Sequence, residues 1–243
     1  MKIVKGHMDI EFVFFHVGED ISLPSSLVSS IKQTNPKSTI LQLTDLVSPE
    51  VNGVNEVHRY QLPTEFIMMA RSEAYANLPS STNLRVFLDT DMLVVNELQT
   101  QEFQETCDVY FCRRFYDTDR PVNIDFRDMA MHEYSGVTMG EAWPFLGCFI
   151  ASRDSTYLGK IHGEMKRLDS KYQKWYGDQI ALAKLARQGY ANVGEVSEEV
   201  YAHLYDGNLE KLMSSIFQGA VKIIHFKGIR KQHLQKVAMA IFG

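Results

Sequence analysis

The chain is poor in cysteine: Cys107, Cys112 and Cys148 are its only thiols in 243 residues, and none stands in a CxxC spacing. That excludes a disulfide-stapled scaffold and a paired-cysteine zinc site. An odd set of unpaired thiols fits a reducing compartment, so a cytoplasmic location is expected and each thiol reads as a small buried hydrophobe. Long apolar runs are also missing. No stretch approaches the ~20 residues that span a bilayer, so no transmembrane segment is expected and any membrane contact would be peripheral. The N-terminus lacks the basic and apolar regions of a signal peptide. Nor is there a basic excess: 25 Lys and Arg stand against 30 Asp and Glu, a net charge of −5. General attraction to nucleic acid is therefore excluded as a partner class, whereas one nucleotide diphosphate, neutralised locally by a metal, is not. Repeats, low-complexity tracts and linkers are absent too. Gly6-His7-Met8 matches a common cloning scar, so Met1 to His7 are set aside and one domain is expected over 8–243.

What is present has ordinary globular composition, 45% hydrophobic and 23% charged. Ile10 to His16 and Thr39 to Leu43 read as buried strands, with a helix between them that Asn35-Pro36 ends. A β-α-β opening points to an α/β, Rossmann-like domain with a mixed, mostly parallel sheet and ligands beyond the strand C-termini. A helix over Glu65 to Leu78, strands over Leu84 to Leu88, Val109 to Cys112, Leu146 to Ala151 and Val221 to His225, and helices from Ser155, Asp178 and Gln232 follow. The segment 113–144 is different: polar, aromatic, rich in Met and without period. A stretch of that length inside a domain is expected to be functional, a candidate acceptor-site loop.

Asp89-Thr90-Asp91 closes the strand Leu84 to Leu88. Two carboxylates one residue apart suit a hard divalent cation such as Mn²⁺ or Mg²⁺, which takes carboxylate, phosphate and water oxygens. A lone DxD has little specificity, and Asp117-Thr118-Asp119 is a second copy. Only the first emerges from an apolar run, where its charge needs a partner. The second, among Arg113, Arg114 and Arg120, reads as a solvated loop.

In that setting the run Phe87-Leu88-Asp89-Thr90-Asp91-Met92-Leu93-Val94 resembles the "YLDxDivv" segment of the retaining glycosyltransferases of family 8, the glycogenin and lipopolysaccharide galactosyltransferase group. His225-Phe226-Lys227-Gly228-Ile229-Arg230-Lys231 is similar to that family's HxxGxxK motif, and Asp178-Gln179 to its "DQ" element. Arg71 precedes the metal motif where the family carries an Arg on a helix. The resemblance implies a GT-A fold and a metal site of Asp89, Asp91 and His225. It also implies diphosphate contacts from Gly228 and Lys231, and Lys227 is a further candidate. Asp178 and Gln179 would stand beside the donor sugar, and Arg71 is a third catalytic candidate. It implies, too, a nucleotide-diphosphate sugar donor, a UDP-hexose, and transfer with retention to a saccharide, lipid-linked or protein acceptor. Two departures stand out: Phe145-Leu146-Gly147-Cys148 lacks the family's Asn, and the first strand ends on His16, Gly18, Glu19 and Asp20 rather than D-x-N.

The chemistry of the residues agrees. A neutral imidazole is a good Mn²⁺ ligand, a glycine lets backbone approach phosphate, and lysines stabilise a departing diphosphate. Taken alone, His225 and its basic neighbours better suit a strand end and a solvated turn, and the metal motif upstream reverses that reading. Asp178 equally suits a helix start, and Arg71 a surface charge. Two other functions compete. A sugar-nucleotide nucleotidyltransferase would carry a basic Gly-rich run after the first strand, where Val17-Gly18-Glu19-Asp20 is acidic. A non-catalytic nucleotide-sugar-binding module would share the motifs. In 113–144, Tyr116, Phe126, Tyr134 and Trp143 could stack on sugars or pack the segment down, and Asp125, Asp128 and Glu133 could accept from hydroxyls.

Overall fold

The computed structural model describes residues 9–127, 129–189 and 191–243, apart from the side chains of Thr64 and Ser155. The leading Met1 to His7 and Asp128 lie outside the described residues. The first half comprises β1 (Ile10–Phe15), α1 (Ser22–Thr34), β2 (Thr39–Thr44), β3 (Glu56–Arg59), α2 (Ile67–Ala76), β4 (Leu84–Leu88), β5 (Met92–Val94) and β6 (Val109–Arg113). A short hairpin, β7 (Asp125–Phe126) and β8 (Met129–Ala130), and α3 (Met139–Ala142) lie within 113–144. Then come β9 (Phe145–Ser152), α4 (Ser155–Lys166), α5 (Ser170–Lys174), α6 (Gly177–Gln188), β10 (Val193–Ser197), α7 (Glu198–Tyr201), β11 (His203–Leu204), α8 (Leu209–Phe217), β12 (Ile223–His225) and α9 (Leu234–Phe242).

The seven-stranded sheet has the order β10-β6-β9-β4-β1-β2-β3. Its pairs are parallel except those that β9 makes with β4 and β6. A sheet covered on both faces should have continuous apolar strands, and β1 shows why. Phe12 and Phe14 enter the core under α1, while Val13 and Phe15 enter the opposite core under α2, α4 and α6. All four are buried, each contributing roughly 1.5–3 kcal/mol of transfer free energy. At the N-terminal edge, Glu11 and Arg85 are register partners on β1 and β4, with Arg85 Nε 2.8 Å from Glu11 Oε2. Ser81 and Asn83 donate to Oε1 at 2.9 Å. This pair holds strand ends far from the ligand edge.

Two features of the topology aim side chains at the C-terminal edge. The first is the small sheet β11-β12-β5, in which Met92 pairs with His225 and Leu93 with Ile224. The N–H of Phe226 then donates to the Asp91 carbonyl at 2.9 Å. That register carries the end of β12 alongside the DxD. The second is an irregularity in the β6–β9 ladder: Phe111 faces Ile150, but Cys112 faces Leu146. Residues 147–149 on β9 are left without β6 partners, and such bulges re-aim side chains at sheet rims.

The segment 113–144 is not an open loop. It has its own small core of Val122, Met129, Met131, Met139 and Trp143, packed on Tyr172 with Phe126, Tyr134 and Tyr176 against it. Trp143 is fully buried and stacks on Tyr176, centroids 4.0 Å apart and planes at 6°. The faces of Phe126 and Tyr134 are likewise taken by Tyr176, Trp175 and Trp143. Tyr116 shares a hydrogen bond with His203 Nδ1 at 2.9 Å. Glu133 accepts from Lys171 at 2.9 Å and from the Tyr172 hydroxyl; Asp125 is exposed. Packing thus takes most of the aromatic surface.

Candidate metal and diphosphate site

The site assembles at the C-terminal ends of β4 and β12 and the N-terminus of α6. Asp89 and Asp91 project from the turn between β4 and β5. The Asp89 N–H donates to the Cys148 carbonyl at 3.2 Å, tying that turn to β9. His225 closes β12. Ligand atoms of Asp89, Asp91 and His225 lie within 4.8 Å of one another. Two carboxylate oxygens and an imidazole nitrogen form a donor set suited to Mn²⁺ or Mg²⁺. His225 Nε2 is 3.3 Å from Asp91 Oδ1, while its buried Nδ1 has no hydrogen-bond partner among the described residues. The residues present therefore fit a divalent ion.

The electrostatics follow from burial. Burial pushes the Asp89 carboxyl up; Arg71 opposes this and Asp91 adds to it. Asp91 is also raised by burial, but hydrogen bonding and charge from His225 and Lys231 more than reverse that, and its carboxyl ends well below the usual range. Lys231 Nζ lies 3.0 Å from Asp91 Oδ2. It arrives there because Gly228 adopts φ +64°, a left-handed conformation glycine adopts without strain. The chain then enters the 3₁₀ turn Gly228–His233. Cys148 lies beside His225, with its thiol pushed up by Cys112 and by burial, so it stays neutral. The cysteines are all free, two of them buried.

Arg71, on α2, joins the metal residues to α6. One guanidinium nitrogen donates to Asp89 and another to Asp178 Oδ2 at 2.6 Å. Arg71 is thus a bridge, its side chain 12% exposed, and not a surface charge. Asp178 is buried in the first turn of α6, and room for its carboxylate exists because residue 147 has no side chain. A Cβ there would lie 1.7 Å from Asp178 Oδ2 and 3.3 Å from Arg71 Nη2. Gln179 follows, its Oε1 accepting from Arg114 Nη2 at 2.7 Å. Lys227 is half-buried beside this group.

Nine sequence-derived positions thus meet at one sheet edge: Asp89, Asp91, His225, Lys231, Arg71, Asp178 and Gln179 through direct contacts, with Lys227 and Gly228 in the connecting turn. Asp117 pairs with Arg120 at 3.4 Å, both exposed, and its charge also reaches Arg114 and Lys227. Sequence reasoning missed Arg114, which it grouped with the solvated basic residues of the second DxD. The available signal was position, directly after an apolar strand and so at the edge where ligands bind. At the C-terminal ends of β1 and β2, Gly18 N–H donates to Ser48 Oγ at 2.8 Å and His16 Nε2 lies 3.1 Å from the Gly18 carbonyl. These contacts order the loops after β1 and β2.

No protein-family model and no curated protein matches the chain. Solved structures do. The galactosyltransferase LgtC, in complex with donor and acceptor sugar analogues, superposes with a TM-score of 0.58 at 12% identity, covering 96% of each chain. The apo-form glycosyltransferase GlyE of Streptococcus pneumoniae TIGR4 gives 0.58 at 14% identity, covering 96% of this chain and 60% of its own. At such identities the likeness is one of architecture. The mixed, mostly parallel α/β sheet of this chain is a GT-A-like fold similar to that of these glycosyltransferases.

Proposed function

We propose that this protein is a metal-dependent glycosyltransferase that moves a hexose from a UDP-sugar, or a closely related nucleotide-diphosphate sugar, to an acceptor. The observation that carries the proposal is the convergence of Asp89, Asp91 and His225 within 4.8 Å at the strand edge. Glycosyltransferases share the fold, one of them seen with donor and acceptor sugar analogues, which supports it. A divalent ion held by these three residues would neutralise the diphosphate and act as a Lewis acid towards the leaving nucleotide.

The chain's own groups do the rest. Lys231, half exposed on Asp91, and Lys227 would meet the negative charge that grows on the departing diphosphate. Asp178 and Gln179 would face the sugar ring, where positive charge develops, with Arg71 fixing the Asp178 carboxylate. The motifs supply no evident carboxylate nucleophile, which favours front-face displacement: the departing phosphate accepts the acceptor's proton and the configuration is retained. An inverted anomer, seen by NMR of the product, would overturn that stereochemistry. The segment 113–144, saccharide-binding in this proposal, would shield the reacting sugar from water.

Calorimetry with UDP tests the function. UDP should bind in the presence of Mn²⁺ and be lost in EDTA, and transfer from a UDP-hexose should follow the metal. UDP binding and transfer indifferent to EDTA would sink the proposal.

A further inference from the structure

Gln179 is touched by an arginine, and the donor-only chemistry of that side chain decides which way the amide points. Arg114 follows β6 directly and is 4% exposed. Its Nη2 donates to Gln179 at 2.7 Å and its Nε to the Trp143 carbonyl at 2.9 Å. A guanidinium has no acceptor, so the Gln179 atom it meets is the carbonyl oxygen Oε1. The amide nitrogen of Gln179 is then turned away from Arg114. It has no hydrogen-bond partner among the described residues and is not buried, which leaves two N–H groups for a ligand.

Arg114 is itself held in place. Burial disfavours its charge, and the charges of Glu198 and Asp117 oppose that. Glu198 also accepts from the N–H groups of Phe115 and Tyr116 at 2.8 and 2.9 Å, tying down the chain just after Arg114. The start of α6 is fixed from the same side. Trp143, whose carbonyl holds Arg114, stacks its ring on Tyr176 with centroids 4.0 Å apart. Tyr176 has φ +65°, a left-handed conformation that is costly for a bulky residue and persists only where its surroundings impose it. The Gln179 N–H then donates to Asp178 Oδ1 at 2.8 Å, so backbone and side chain of Gln179 are both set. With Oε1 taken by Arg114, the Asp178 carboxylate is the member of the pair that can meet positive charge.

We propose that Arg114 is a positioning residue for transfer: by holding Oε1 it makes Gln179 a hydrogen-bond donor to a hydroxyl of the donor sugar, a contact that the Asp178 carboxylate cannot supply. This rests on the glycosyl-transfer proposal. Calorimetry with Mn²⁺ compares UDP with UDP-glucose and UDP-galactose. Gln179→Met and Arg114→Met should each weaken the tighter-binding UDP-hexose by about fivefold or more, the worth of one hydrogen bond, and leave UDP within about twofold. The double variant should lose no more than either single one, because Arg114 acts through Gln179. Gln179→Glu keeps an acceptor for Arg114 and should melt no lower than the unaltered protein. It has no N–H to offer, however, and should weaken the UDP-hexose by the same factor or more. That variant decides the matter if melting curves show that Arg114→Met fails to fold. UDP-hexose affinity that survives Gln179→Glu, equal losses for UDP and UDP-hexose, or losses that multiply in the double variant overturn the positioning role while leaving glycosyl transfer standing. Absence of Mn²⁺-dependent UDP binding in the unaltered protein sinks both.

Discussion

Gly147→Ala tests whether the site depends on a missing side chain. The added Cβ would sit 1.7 Å from Asp178 Oδ2 and 2.6 Å from its Cγ, where ordinary contact needs about 3.5 Å. The Asp178 carboxylate must move by more than an ångström, and its 2.6 Å bond to Arg71 cannot survive that. Overpacking costs about 1–3 kcal/mol and a lost charge-assisted hydrogen bond about 1.5–3 kcal/mol. Relaxation makes the two less than additive, so about 2–4 kcal/mol is expected. In a protein of this length that lowers the melting temperature by roughly 5–15 °C. The decisive assay is a double-mutant cycle by urea unfolding. With Asp178→Ala in place the Cβ has room, and Gly147→Ala should then cost about 1 kcal/mol or less. Equal costs in both backgrounds would refute the collision as the cause.

Other residues make equally direct predictions. Asp91→Asn removes one ligand and the partner of both His225 and Lys231; Mn²⁺-dependent UDP binding should weaken by about 100-fold or more, read by calorimetry. Trp143→Ala empties the centre of the small core under 113–144 and should destabilise by about 3–5 kcal/mol in urea titrations. A loss under about 1 kcal/mol would show the segment packs elsewhere. Glu11 has its pKa raised by burial, but Arg85, Asn83 and Ser81 outweigh that and leave it lowered. Its contribution is therefore present above the ordinary carboxylate range and is lost as pH falls through the depressed folded value. The stability gap between the unaltered protein and Glu11→Gln should shrink on acidification, and a gap that grows would contradict the pairing.

The central strands were legible because burial on both faces forces unbroken apolar runs, as in Ile10–Phe15 and Leu84–Leu88. The two edge strands were not. β3 reads Glu-Val-His-Arg and β10 reads Val-Gly-Glu-Val-Ser, since each has only one neighbour in the sheet and their exposed positions carry polar residues. That Asp89, Asp91 and His225 come together as a candidate metal group was legible because motif and strand end coincide in the chain. Arg114 was not, because local sequence gives Arg113 and Arg114 the same character. Strand alternation separates them: Arg113 is exposed and pairs with Glu195 at 3.1 Å, while Arg114 turns inward. The packing of 113–144 was illegible for a related reason, since its aromatics are buried by tertiary stacking on Trp175 and Tyr176 and not by any period of their own.

Three carboxylates, those of Asp89, Asp91 and Asp178, gather at this edge, and buried carboxylates require cations. Arg71 serves Asp89 and Asp178 at once from a side chain only 12% exposed, so it is a fixture. Lys231 serves Asp91 from a side chain that is half exposed, so it can be displaced. An ion held by Asp89, Asp91 and His225 would compete with Lys231 for Asp91, and the freed ammonium would then need an anion. On the proposed function, a diphosphate arriving with the ion would supply one. Metal and nucleotide should accordingly bind with positive coupling, each raising the affinity for the other by the same factor. Lys231→Met separates the two effects: it removes the competitor, so Mn²⁺ alone should bind more tightly, and it removes the phosphate contact, so the gain from UDP should fall. Calorimetric titrations of Mn²⁺ with and without UDP measure both. If Lys231→Met weakens Mn²⁺ binding in the absence of nucleotide, Lys231 is not the competitor at Asp91 and the exchange does not occur.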